Sequence, residues 1–263
     1  MPTRGFEGAI FDVDGVLVDS PHERAWKDSL RELMENDWAD VADRTSWSEE
    51  HFTPHVYQQV MSGKPRMSGA LAALEYFEVP DAAERVEIYA ANKQTMVIKL
   101  IEAGEFEAYP DALRFVLAVR NAGIRVAAAS SSKNAGLFLR QIRLDTFAAE
   151  QDLHYDFLRP GLNLLEFFDI DISGRDFAQG KPHPEIFLTG ANELGVAPEA
   201  CFVVEDATSG VQAAKAGGMA ALGVARADDQ ALLAAANADL VVTSLDEVDI
   251  PGLGHHQLRR RTS

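Results

Sequence analysis

The segment that most constrains the fold is Gly8–Ser20, an apolar run that ends in acidic residues. The run from Ala9 to Val13 is rich in residues that favour strands, and Asp14-Gly15 marks a turn directly after it. A run of this kind is typical of a buried strand in a parallel sheet. Asp12 interrupts it, and a buried carboxylate is unfavourable unless it is paired or bound to a metal ion. The sequence therefore predicts a ligand site at the carboxyl end of this strand, where open α/β sheets bind ligands.

Alternating helix and strand signals follow from residue 110 onward. This alternation predicts an α/β fold, a Rossmann-like doubly wound parallel sheet with helices on both faces. The predicted core helices are 111–121, 133–143, 184–194, 209–216 and 228–237. The predicted core strands are 9–13, 125–130, 168–172, 201–204, 219–224 and 240–243.

Residues 20–104 carry helical periodicity instead, which predicts a helical cap domain inserted after the first strand. The predicted cap helices are 21–34, 54–61, 70–77 and 82–101. The α/β core is then expected at 1–19 and 105–252, and residues 253–263 are expected to form a polar, disordered C-terminal tail.

The formal net charge of −17 disfavours nucleic acid or an anionic membrane as a partner. The single cysteine, Cys201, rules out an intrachain disulfide and is typical of a reducing compartment. The N-terminal residues lack an apolar signal core, and no stretch approaches the length of a membrane span. We therefore expect a cytoplasmic protein with no nucleic-acid or membrane partner.

Polar residues follow four of the predicted strands or the loops after them. They are Asp12 and Asp14, the run 130–134, the run 180–182, and Glu205 with Asp206. Carboxylates gathered at one sheet edge repel one another, and an oxygen-only donor set suits Mg²⁺. With lysine and hydroxyl donors nearby, the set provides what a phosphoryl group needs, so Asp12 is a candidate nucleophile and Asp14 a candidate acid and base. The alternative is that each residue caps a helix or is solvated in a loop.

Four segments resemble the ordered motifs of the haloacid dehalogenase superfamily: Phe11–Ser20, the strand end at Ser130, Gly180–Phe187 and Val203–Gly210. The resemblance implies that Asp12 is the nucleophile and Asp14 the general acid and base. It also implies that Ser130 and Lys181 bind the transferring phosphoryl group. Glu205 and Asp206 are then expected to complete a Mg²⁺ site with Asp12 and Asp14.

Within the superfamily the chain is most similar to the β-phosphoglucomutase family. Three local matches carry this similarity: His22–Lys27, Gly63–Arg66 and Ala129–Asn134. The resemblance implies interconversion of β-glucose 1-phosphate and glucose 6-phosphate through glucose 1,6-bisphosphate. Two alternatives stay open, a sugar-phosphate phosphatase and a non-catalytic sugar-phosphate sensor.

A mutase must hold a second, non-reacting phosphate, and Arg66 can bind one bidentately with Lys93 and Lys64 as supporting charges. Trp26 either contacts the sugar or packs inside the cap, and His22 either assists Asp14 or caps a helix. The alternative for both lysines is a solvated helix or loop position, which is favoured more for Lys64 than for Lys93. The candidate substrate-binding residues are His22, Trp26, Gly63, Arg66, Lys93, Ser131, Ser132, Lys133 and Asn134.

An insertion at residues 145–166 is longer than an ordinary connection. Its aromatic and aliphatic residues predict a packed flap. Such a flap either reaches the cap, forms a dimer contact or covers the edge of the sheet.

Overall fold

A computed structural model describes residues 5–61, 64 and 66–262, with Gln58 described by its backbone only. The chain forms two compact units. One combines the residues up to Ser20 with those from Glu107 onward, and the other is Pro21–Phe106. None of the helices within these described ranges is long and apolar enough to cross a membrane.

The first unit is built on a parallel sheet. Its strands are β1 Gly8–Phe11, β2 Val18–Asp19, β3 Glu107–Ala108, β4 Arg125–Ala128, β5 Ile170–Asp171, β6 Cys201–Glu205, β7 Ala220–Val224 and β8 Leu240–Val242. The sheet has the order β5-β4-β1-β6-β7-β8, and each neighbouring pair in it is parallel. Phe11 lies beside Ala128 and Val204. The carboxyl ends of the three central strands therefore meet at one edge.

The remaining two strands, β2 and β3, form an antiparallel pair at the two ends of the inserted unit. Val18 pairs with Ala108, and the N–H of Tyr109 donates to the Leu17 carbonyl at 3.0 Å. This pair was absent from our prediction because a strand of two residues carries no detectable alternation.

The second unit is helical. Its helices are α1 His22–Glu35, α2 Ala39–Ala42, α3 Pro54–Val60, α4 Arg66–Tyr76 and α5 Ala82–Glu102. Leu30, Leu74 and Tyr89, from α1, α4 and α5, are fully buried in its core. The single-turn helix α2 was not predicted, and α4 begins at Arg66 rather than at residue 70.

The helices of the first unit cover both faces of the sheet. They are α6 Pro110–Asn121, α7 Ala135–Gln141, α8 Leu144–Glu150, α9 Leu164–Phe167, α10 Glu185–Leu194, α11 Thr208–Ala216, α12 Gln230–Ala235 and α13 Ile250–Leu253. Phe11 meets Phe115 of α6, whereas Ile10 belongs to a buried cluster with Phe187 of α10. Because successive side chains of a strand point to opposite faces, β1 is buried on both sides. This arrangement confirms the predicted doubly wound α/β fold.

The insertion at residues 145–166 is packed within the first unit. The N–H of Leu164 donates to the Ile142 carbonyl at 2.9 Å, and α9 packs against α7. Tyr155 stacks on Phe157, and Phe157 contacts Phe167 with ring centroids 5.6 Å apart. The chain continues from the insertion into β5, an edge strand of the sheet.

The C-terminal residues do not form the disordered polar tail that we predicted from residue 253 onward. Leu253 is fully buried, and its carbonyl accepts a hydrogen bond from the Phe6 N–H at 2.9 Å. His256 stacks on Phe6 with ring centroids 4.1 Å apart, and Arg260 pairs with Glu247. The prediction was wrong because the arginines that suggested solvation pair with acidic residues earlier in the chain.

Candidate active site

Asp12 and Asp14 lie just beyond the carboxyl end of β1. The N–H of Asp12 donates to the Val204 carbonyl at 3.0 Å, which extends the pairing with β6 by one residue. The Asp12 side chain is buried, whereas Asp14 is half-buried and its Oδ2 accepts a hydrogen bond from Ser130 Oγ at 3.2 Å. Burial raises the pKa of Asp12, although the charge of Lys181 opposes the shift. The two carboxylates therefore lie in different surroundings.

Lys181 links two buried carboxylates. Its Nζ lies 2.5 Å from Asp12 Oδ1 and 2.5 Å from Glu205 Oε1, and it packs over the ring of Phe187. The side chains of Lys181, Asp12 and Glu205 are only 11%, 8% and 1% exposed. Burial alone would lower the pKa of Lys181, but the two carboxylates outweigh it and hold this pKa above its usual value. The lysine is therefore a fixed positive charge beside Asp12.

Glu205 supports Lys181. Its Oε1 accepts from the lysine, and its Oε2 accepts from the N–H groups of Asp206 and Ala207, each at 3.1 Å. Gly210 of α11 leaves the space for this carboxyl group, because a Cβ at that position would lie 1.9 Å from it. Both oxygens of Glu205 are thus engaged inside the core, which differs from the metal-ligand role that we predicted for this residue.

Asp206 lies against the turn that follows Asp14. Gly15 in this turn has a φ of +80°, and a Cβ on it would lie 1.9 Å from Asp206 Oδ2, so both the conformation and the space require glycine. Burial raises the pKa of Asp206, and the negative charges of Glu205 and Asp12 add to the shift. The carboxylates at this edge therefore repel one another.

The donor set suits a divalent cation in type and charge. Asp12, Asp14 and Asp206 offer only oxygen ligands, as Mg²⁺ prefers, and Lys181 alone does not balance the surrounding carboxylates. As the side chains stand, no three carboxylate, imidazole or thiol groups in the described parts of the chain converge on one metal position. The three aspartates therefore fit Mg²⁺ by their chemistry, and Lys181 keeps its hydrogen bond to Glu205.

Hydrogen bonds link three predicted residues of the loop after β4 to the site. Ser130 Oγ contacts Asp14 and accepts from the Ser132 N–H at 3.0 Å, and Ser132 Oγ accepts from the Asn134 N–H at 3.2 Å. Asn134 is buried at the start of α7. By contrast, Ser131 is exposed.

Lys133 is not brought to the site. It is exposed, and its Nζ lies 2.8 Å from Asp176. Exposed ion pairs of this kind are weak, so the structure leaves the lysine able to reorient.

Predicted residues of the second unit form two groups. Lys93 is buried, and its Nζ lies 3.4 Å from His22 Nδ1 and over the ring of Trp26. Arg66 is exposed and donates to Gln94 Oε1 at 2.8 Å, one residue from Lys93. Arg66 and Lys93 therefore make separate contacts, because the side chains of consecutive residues in a helix, here Lys93 and Gln94, do not face each other.

Three further residues predicted for the substrate site belong to this unit. Trp26 is 5% exposed and packs edge to face against Tyr89, so the structure agrees with core packing and not with a sugar contact. Lys64 is exposed. Gly63 lies outside the described residues.

Sequence reasoning missed two contributors. Ser173, after β5, accepts the N–H of Ser130 through its Oγ at 3.1 Å. Gly210 makes room for Glu205. Gly210 could have been identified from the sequence, because it lies in a helix that directly follows a strand with an acidic end.

The chain is similar to proteins of known family. The profile of haloacid dehalogenase-like hydrolases matches residues 6–218. A β-phosphoglucomutase of Mycobacterium bovis is 34% identical, over 91% of this chain and 90% of its own length. A phosphorylated carbohydrates phosphatase of Thermotoga maritima is 29% identical, over 89% of this chain and 94% of its own. The crystal structure of the archaeal β-phosphoglucomutase from Pyrococcus sp. strain ST 04 has a TM-score of 0.67 at 29% identity and covers 94% of this chain and 96% of that one. The superfamily resemblance is thereby confirmed, and the chain belongs to the haloacid dehalogenase-like hydrolase family.

Proposed function

We propose that this enzyme transfers a phosphoryl group through Asp12. The observation that carries the proposal is the buried Lys181 ammonium, 2.5 Å from Asp12 Oδ1 and held on its other side by Glu205. A fixed cation beside a nucleophilic carboxylate offsets the negative charge of an incoming phosphoryl group. Ser130 lies on the side of Asp14 and can donate a hydrogen bond to the same group.

The proposed reaction has two steps. In the first, an Asp12 oxygen bonds to phosphorus, the bond from phosphorus to the sugar oxygen breaks, and Asp14 gives its proton to that oxygen. In the second, Asp14 takes the proton of another sugar hydroxyl, whose oxygen attacks the aspartyl phosphate and releases Asp12. One carboxylate is the nucleophile and the other moves the proton in both directions.

Members of this family generally use Mg²⁺. We propose that Asp12, Asp14 and Asp206 would hold it, while Glu205 keeps Lys181 in place. A bound Mg²⁺ would supply further charge neutralisation for the phosphoryl oxygens.

For the substrate, we propose interconversion of β-glucose 1-phosphate and glucose 6-phosphate through the 1,6-bisphosphate. The relative from M. bovis is a β-phosphoglucomutase. The second unit supports the assignment because its Arg66 is exposed, and a guanidinium can bind the non-reacting phosphate bidentately. Ser132 and Asn134, in the loop after β4, stay proposed substrate contacts.

A sugar-phosphate phosphatase is the second candidate. The relative from T. maritima is a phosphatase of phosphorylated carbohydrates, and its similarity extends over 94% of its length. In that case water, rather than a sugar hydroxyl, gives its proton to Asp14 in the second step. Asp12, Asp14 and Lys181 keep the same roles.

One assay separates these functions. The protein is incubated with β-glucose 1-phosphate, Mg²⁺ and a trace of the bisphosphate, and glucose 6-phosphate and inorganic phosphate are measured together. Glucose 6-phosphate without equivalent phosphate supports the mutase, and stoichiometric phosphate contradicts it and supports the phosphatase. Neither product, with binding retained, indicates a sensor. Asp12→Asn should abolish turnover, whereas Asp239→Asn, which removes a surface carboxylate paired with Lys215, should not.

The cap assignment has its own test. Arg66→Ala should lower kcat/KM for β-glucose 1-phosphate by about 10- to 100-fold, the loss of a charge-assisted contact. It should leave turnover of a small phosphate ester unchanged. Arg31→Ala is the matched control, since Arg31 is a cap arginine paired with Asp28. Equal losses for both substrates would show that Arg66 does not bind a second phosphate.

A further inference from the structure

Arg226 contacts the turn that follows the two aspartates of the site. Its Nε donates to the Gly15 carbonyl at 3.3 Å, and its Nη2 donates to the Val16 carbonyl at 3.0 Å. Gly15 and Val16 are the two residues directly after Asp14. The Arg226 side chain is 16% exposed, so these contacts are largely shielded from water.

The other side of the guanidinium is held by the start of α6. Its Nη1 donates to both carboxylate oxygens of Asp111, at 3.1 and 2.9 Å, and its central carbon lies 3.9 Å from the centre of the Tyr109 ring. Asp111 Oδ2 also accepts the N–H of Leu245 at 2.8 Å. Arg226 therefore contacts two separate segments of the first unit, the turn at Gly15 and Val16 and the start of α6, and these contacts fix its position.

Backbone hydrogen bonds hold the far end of this turn. The Gly15 N–H donates to the Val18 carbonyl, the Val18 N–H donates to the Val13 carbonyl, and the Leu17 carbonyl accepts the N–H of Tyr109, just before α6. Gly15 lies closer to Asp14 and has a φ of +80°, a conformation that residues with a side chain rarely adopt. The two bonds from Arg226 add a connection to α6 at Gly15 and Val16, directly after Asp14.

We propose that Arg226 is a positioning residue for proton transfer by Asp14. It acts by fixing the backbone directly after Asp14, while Ser130 contacts the carboxylate. The proposal rests on the proposed function, in which Asp14 protonates the leaving sugar oxygen. A lysine cannot replace Arg226, because one ammonium group does not reproduce the planar fork that reaches two carbonyls and a carboxylate together.

The test compares two phosphoryl donors in single-turnover phosphorylation of Asp12. With acetyl phosphate, the bond from phosphorus to the acetate oxygen breaks, and acetate leaves as a stable anion that needs no proton. With a sugar phosphate the leaving alcohol oxygen needs the proton of Asp14. Glucose 1,6-bisphosphate and glucose 6-phosphate are both used, so that a mutase and a phosphatase are each supplied with such a donor.

Arg226→Lys should slow phosphorylation by the sugar phosphate about 10²-fold and leave phosphorylation by acetyl phosphate nearly unchanged. The ratio of the two rates is measured on one preparation, so partial loss of folded protein cancels. Arg120→Lys is the matched control, because Arg120 also pairs with an aspartate, Asp169, and lies over an aromatic ring, that of Phe167. Its ratio should equal that of the wild type.

A rescue experiment provides the second measurement. Arg226→Ala should also lower the ratio of the phosphorylation rate with the sugar phosphate to that with acetyl phosphate. Added guanidinium ion should restore this ratio, whereas added methylammonium should not. An unchanged ratio in both Arg226 variants, or an equal loss with both donors, would overturn the positioning role. Failure of the wild-type protein to accept phosphate from any donor, or turnover by Asp12→Asn, would instead contradict the proposed function.

Discussion

Replacing Lys181 by Met tests whether the buried charges at the centre of the site depend on one another. The substitution keeps the length of the side chain and removes its charge, which leaves Asp12 and Glu205 facing each other without a cation. Removing one partner of a buried ion pair typically costs about 3–5 kcal/mol. With side chains that are 8% and 1% exposed, solvent cannot replace the lysine, and the expected loss in Tm is about 10 °C.

The matched control is Lys215→Met. Lys215 forms an ion pair with Asp239 at 2.6 Å, but the two side chains are 34% and 41% exposed. An exposed pair contributes only about 0–1 kcal/mol. The comparison thus varies burial while it keeps the residue type and the distance nearly constant.

Urea unfolding in EDTA at pH 7.5, followed by far-UV circular dichroism, measures the loss in free energy of unfolding for Lys181→Met and for Lys215→Met. Tryptophan fluorescence is unsuitable on its own, because the tryptophans at 26, 38 and 47 all belong to the second unit. The double variant Lys181→Met with Glu205→Gln should recover part of the stability, since it removes one of the opposed charges. A loss for Lys181→Met no larger than that for Lys215→Met would refute this account of the site.

Three further predictions concern packing and ionisation. Gly210→Ala should displace the Glu205 carboxyl group, which lies 1.9 Å from the new Cβ position, and lower kcat about 10²-fold in a steady-state assay. Burial raises the pKa of Cys201 to about 12, so this thiol should not react with a disulfide reagent in the native protein and should react once per chain in guanidinium chloride. Burial tends to raise the pKa of Asp111, but hydrogen bonds from Arg226 and a backbone N–H outweigh it and lower that pKa. Asp111→Asn should therefore cost about 2 kcal/mol in urea unfolding at pH 7, and the difference should shrink as the pH falls below about 4.

Each of these has a clear contrary result. Gly136→Ala is the control for the glycine variant, because nothing lies within 4 Å of its Cβ position, and equal activities would show that Glu205 adapts at no cost. Rapid labelling of native Cys201 would contradict its burial. A stability difference for Asp111→Asn that is independent of pH would show that Asp111 is not stabilised as an anion.

The central strand and its acidic end could be predicted from the sequence. The apolar run before Asp12 and the turn at Gly15 are local signals, and a strand buried on both faces must read as an almost continuous apolar run. The alternation of helix and strand after residue 110 likewise indicated the parallel sheet. Since parallel strands end at a common edge, the sequence order alone brings Asp12, Ser130 and Asp206 to the same side of the fold.

The partners within that edge were decided by the tertiary structure. Glu205 was predicted as a metal ligand, but its position above Gly210 and beside Lys181 engages both of its oxygens. Arg226 carried no sequence signal, because it meets Gly15 across 211 residues of chain. The packed C-terminal segment was missed for the same reason. Periodicity reports which face of an element is buried, whereas the contacts of a long charged side chain depend on how distant elements pack, and only the folded chain specifies that.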